Sequence, residues 1–174
     1  QVLNFFKAPV AKKYFAQDAS IASTAKKLMN SLTNQFEGLF GREAPPLAEK
    51  MVKGAAKTSA SSLQDSFKQL SGGATIKTDI MGGDVKEIST ASVAENVSLI
   101  TSIASEYLTD VEGAVMRSIS TGNGLEDLIP EIDSFLTTKA KQTRNRAENI
   151  ALDQTRKVYS SINKARMEKV GIEK

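Results

Sequence analysis

From Val10 to Phe40 the chain reads as one helix. Ile21, Ala25, Leu28, Leu32, Phe36 and Leu39 follow one another at spacings of three and four, which places them on one face. Gly41 is expected to end this helix, and Ala44-Pro45-Pro46 to break the chain, with Pro46 suited to a first helical position. A second helix is predicted from Leu47 to Leu70, with Leu63, Phe67 and Leu70 on its apolar stripe. Its middle, GAAKTSASS, consists mostly of small residues, which either admit another helix at close range or mark a weak point. Ser71-Gly72-Gly73 is a stop signal. ATIKTDIMGG then alternates β-branched and polar residues and reads as a short extended stretch.

Asp84 is a plausible N-cap with Glu87 three positions on. The helix it opens carries Val93, Val97 and Ile100, with Leu99 and Ile103 on an adjacent stripe. Another is expected near Ser105, with Leu108, Val111, Val115 and Ile119 on its apolar face. Thr121-Gly122-Asn123-Gly124 is a turn. Leu125, Leu128, Ile129, Ile132 and Phe135 form a further stripe, and Pro130 within it calls for a kink or a helix start close by. The last helix is expected from about Thr138 to near Gly171, with Ala147, Ile150, Ala151, Val158, Ile162 and Ala165 inward. The predicted fold class is mainly α: a long N-terminal helical hairpin followed by a compact helical domain, with at most one short extended segment. The chain divides on this reading into 1–73, a hairpin or docking arm, and 74–174, a helical core.

Composition narrows the chemistry. The 174 residues contain no Cys, His or Trp, and aromatics make up 6%. Thiolate and imidazole nucleophiles, disulfides and Cys/His zinc sites are therefore excluded for this sequence. No apolar run approaches the roughly 18–20 residues of a membrane span. QVLNFFKAPVAKKYF lacks the apolar segment and cleavage site of a signal peptide. Its mix of Phe and Lys leaves a membrane-surface arm as a minor reading, and a membrane partner is not expected. The chain opens on Gln and stops just past Gly171, which suggests a piece of a longer product.

The net charge of +3 conceals three blocks. Residues 1–78 carry 11 basic and 5 acidic side chains, 79–137 carry 2 and 11, and 138–174 carry 10 and 4. Either the basic and acidic helices pack on each other, or they present separate charged surfaces to partners.

Three stretches, Pro46–Leu70, Ser92–Leu128 and Arg144–Ile172, together resemble the Mu F-like head-morphogenesis family, the minor head proteins of tailed bacteriophages. The resemblance rests first on Glu95, Asn96, Val97, Leu99, Ile100, Ser102 and Ile103. It continues through Tyr107, Leu108, Val111, Val115, Met116, Arg117 and Ser118, and then through Arg144, Arg146, Ala147, Ile150, Ala151, Asp153, Gln154 and Thr155. Leu152 stands where the family pattern has a basic residue. The resemblance implies a structural virion protein, not an enzyme, inside the capsid near the portal vertex and in the host cytoplasm during assembly. It implies help with head assembly, DNA packaging or genome ejection. The implied partners are the portal protein, the major capsid protein and phage DNA, with several copies per virion and no cofactor or small-molecule substrate. It also implies that 74–174 is a head-morphogenesis domain cut short at its C-terminal end.

The candidate contact residues lie on the last helix: Arg144, Arg146, Arg156, Lys157, Lys164 and Arg166. Three readings stand for them: tracking a phosphate backbone, pairing within the chain, or meeting acidic patches of neighbouring proteins. Asp153 lies four before Lys157, a favourable helical pair. Asp110-x-Glu112, Glu126-Asp127, Glu131 and Asp133 offer carboxylates, but in a spacing that suits an exposed face better than a metal loop. The glycine pairs lack the Gly-Lys-Ser/Thr ending of a phosphate loop. Gln154 falls on the side of Ile150 and Val158, a place where a polar group needs a partner. Two other functions remain open: a helical N-terminal module of a larger enzyme or toxin, and a stand-alone DNA-binding protein.

Overall fold

The computed structural model describes residues 21–75, 82–120 and 125–169. They form three helices: α1 (Ile21–Leu70), α2 (Asp84–Ser120) and α3 (Leu125–Lys169). The mainly α class holds, and no strand occurs among the described residues. The extended stretch expected at 74–83 falls largely at 76–81, outside the described residues, as do the arm at 1–15, the turn at 121–124 and the stop at Gly171.

Breaks expected inside the helices are absent. α1 runs through Gly41 and through Pro45-Pro46 without interruption, so the predicted hairpin bend there is not formed. Each proline removes a helical donor and crowds the preceding turn, at a cost of about 3 kcal/mol. Ala44 and Ala48 on either side are buried, which offsets only part of that cost. α2 continues through Ser105, where no Gly or Pro interrupts it. α3 begins five residues before Pro130 and continues past Thr138.

The end of α1 after Leu70 behaves as expected. Gly72 and Gly73 have φ of 69° and 116°, open to glycine and strained for other residues. The Gly73 N–H returns to the Lys68 carbonyl at 2.9 Å, closing α1. Asp84, expected as the N-cap, is instead the first helical residue, since the Glu87 N–H donates to the Gly83 carbonyl at 3.4 Å. Asp84 and Glu87 lie in the first turn of α2, where negative charge suits the helix dipole.

The chain forms two compact units. One comprises 1–41 and 101–147, the other 42–100 and 148–174. In the first, Ala25, Met29 and Leu32 of α1 meet Val111 and Val115 of α2, flanked by Phe36, Tyr107 and Phe135. Met29, fully buried, was not among the stripe residues read from the sequence, while Leu39, which was, is 42% exposed. Burial raises the Tyr107 phenol above its usual pKa.

In the second unit, Val52, Ala55 and Ala56 of α1, Val85 of α2, and Val158 and Ile162 of α3 form one core. The small-residue middle of α1 is therefore a packing surface: Ala55, Ala56, Ser59 and Ala60 are all buried. Leu70, expected on the apolar stripe, is 88% exposed.

Truncating Met29 or Ile162, both 0% exposed, to alanine should each cost about 2–5 kcal/mol. Leu70→Ala should stay within about 0.5 kcal/mol. Urea unfolding followed by circular dichroism measures all three.

Candidate functional site

The basic residues of α3 divide by location. Arg146, in the first unit, pairs with Glu106 of α2. In the same unit Lys139 reaches Asp110 at 2.6 Å. The two pairs line a cleft of about 190 Å³ with Ile103 and Tyr107 between them. Rising numbers on α2 meet falling numbers on α3, the mark of an antiparallel pair.

In the second unit Lys157 donates to both carboxylate oxygens of Glu95, at 2.6 and 2.9 Å. The pairing expected between Asp153 and Lys157 is not made. Asp153 instead lies 4.0 Å from Arg156, and both side chains are more than 70% exposed. Lys164 sits 3.7 Å from Glu168 on its own helix. Such exposed pairs stabilise by about 0–1 kcal/mol.

Arg166 does not belong to the exposed face on which the sequence reading put it. Only 5% of it is exposed. Its guanidinium donates to the Ala56 carbonyl at 3.0 Å and to Ser59 Oγ at 2.7 Å. The spacing explains the placement, since Val158, Ile162 and Arg166 are four apart and share the inward side of α3. A buried guanidinium bonded to a neighbouring helix is an internal tie, out of reach of DNA or a partner surface. Arg144, Arg156 and Lys164 remain as exposed candidates.

The acidic partners Glu95, Glu106 and Asp110 were not singled out as partners of these cations. The signal for them was the opposition of the −9 block and the +6 block along the chain. An antiparallel register would have turned that opposition into pairs. Of the carboxylates weighed earlier, Asp110 is thus an ion-pair partner, and the side chains of Glu126, Asp127 and Glu131 lie outside the described residues. Gln154 Oε1 is buried with no hydrogen-bond partner among the described residues. No group of three or more His, Cys, Asp or Glu that could hold a metal ion occurs among the described residues.

Some of the residues that carry the resemblance lie at these contacts. Glu95 holds Lys157. Asn96 is buried and donates to the Ser92 carbonyl at 2.7 Å. Val111 and Val115 are core, and Arg146 spans to α2. Leu152 is 51% exposed.

No family model matches the sequence, and no solved structure matches it. An uncharacterized protein of Haemophilus influenzae is 38% identical over 91 residues, which cover 52% of this chain and 20% of that protein. The chain thus spans about a fifth of the length of the relative it matches.

Duplex DNA binding through α3 should show a shallow salt dependence. If Arg144, Arg156 and Lys164 alone contact phosphate, about three counterions are displaced, for a log–log slope no steeper than about −3. Fluorescence anisotropy between 50 and 200 mM salt reads the slope. A value near −5, the sum for all six, would mean that Arg146, Lys157 and Arg166 leave their partners.

Proposed function

We infer that this chain is a structural piece of a minor head protein of a tailed bacteriophage, acting at the portal vertex inside the capsid. It serves assembly, packaging or ejection through its surfaces and not through a reactive centre. The observation that supports this reading is where the resemblance residues fall. Six of them are buried or bridge helices, as a structural role requires. Asn96, Leu108, Val111 and Val115 are buried, and Glu95 and Arg146 bridge helices.

On this reading the partners are the portal protein and the major capsid protein, with several copies per virion. DNA contact falls to Arg144, Arg156 and Lys164. The alternatives of an enzyme module or a free DNA-binding protein gain no observation of their own.

Quantitative mass spectrometry of purified particles, with gold labelling of an appended tag, tests the proposal. The protein is expected in a fixed number of copies at a single vertex. Its absence from particles, or an even spread over the shell, would refute the reading.

A further inference from the structure

The second unit carries a groove that its own residues leave unfilled. It lies between α1 and α3 and encloses about 600 Å³. Its walls are apolar: Leu47, Met51 and Ala55 on one side, Tyr159 on the other. Leu47 is 57% exposed. Leu152, 51% exposed, lies three, four and seven positions before Thr155, Arg156 and Tyr159, so the same face of α3 extends the apolar surface.

Gly54 lines this groove and sits within a helix, where glycine costs about 1 kcal/mol relative to alanine. The fold does not require it. A Cβ built there meets no atom within 4 Å, and its φ is not in the left-handed region. A glycine at this place leaves the groove open to the close approach of another backbone.

Charge identifies what comes. The groove's charged residues are Lys50 from α1 and Arg156 from α3, one cation on each wall and no carboxylate. Lys50 has no ion pair among the described residues, and Arg156 reaches Asp153 only at 4.0 Å. An apolar floor suits hydrocarbon, not phosphate, which disfavours nucleic acid. A channel between two helices is the shape that a third helix fills. We propose that this groove docks an amphipathic helix of a partner protein, its apolar stripe on Met51, Ala55 and Tyr159, its backbone against Gly54, and its flanking carboxylates on Lys50 and Arg156. This inference goes beyond the head-protein reading and does not depend on it; a helix seated here takes Arg156 out of the set left for DNA, which is then Arg144 and Lys164.

The test uses the full chain and a fluorescein-labelled amphipathic peptide of about 18 residues, long enough to lie along the groove as a helix. It carries Leu at spacings of three and four, with Glu on the remaining face. A second peptide replaces every Glu by Lys. Anisotropy should show saturable binding of the Glu peptide and none of the Lys peptide. The double variant Lys50→Glu/Arg156→Glu should weaken binding about tenfold or more. Gly54→Trp should abolish it, and Gly54→Ala should raise the melting temperature. If Gly54→Trp does not fold, the double variant, changed only at exposed positions, decides. The proposal is overturned if the Glu peptide fails to saturate, if the Lys peptide binds equally, or if the double variant binds as the parent does. It is also overturned if light scattering shows a dimer that Gly54→Trp makes monomeric, since the groove then takes a second copy. Duplex DNA binding that Gly54→Trp removes would overturn it in favour of nucleic acid.

Discussion

The second unit depends on how closely α1 and α3 approach. A guanidinium on one helix can reach a main-chain carbonyl of another only where no large side chain stands between. Ala55, Ala56, Ser59 and Ala60 supply that opening, and Val158 and Ile162 fill it. Arg166 then closes on the Ala56 carbonyl and Ser59 Oγ. Burial of small apolar surface and a charge-assisted hydrogen bond thus act on one stretch of contact. Neither serves without the other. The bond requires the approach, and the buried charge requires the bond.

Charge works differently along α2 and α3. Lys139–Asp110, Arg146–Glu106 and Lys157–Glu95 are partly exposed pairs. Each adds little stability, but within its own unit each favours one register of α2 against α3, because a shift by one turn would separate it. Much of the charge asymmetry along the chain is therefore used internally. What it leaves for partners is smaller and more local: the exposed cations of α3 and the two that flank the groove.

Much of the fold could be read from the residues. The apolar period identified the helices, and the glycines after Leu70 marked the end of α1. The prolines misled, because their cost is local while α1 is packed on each side of them, through Ala25, Met29 and Leu32 before and Val52, Ala55 and Ala56 after. At Ser105 no local signal opposes the helix, since Val97, Ile100, Ala104, Leu108 and Val111 continue one stripe across it. The site was less legible. A stripe of cations on one helix does not reveal which of them face inward, and Arg166 shares its side with Val158 and Ile162. The groove left only a faint trace in the sequence, a glycine among alanines, whose significance depends on what stands opposite it.

The account rests on small side chains holding α1 and α3 together, and Ala56→Leu tests this most directly. Ala56 is 0% exposed, so the larger side chain has no room and must force the helices apart or distort them. Denaturant unfolding should show a loss of about 1–3 kcal/mol. Unchanged or increased stability in the Ala56→Leu variant would mean that the two helices do not meet there, and the account would be wrong.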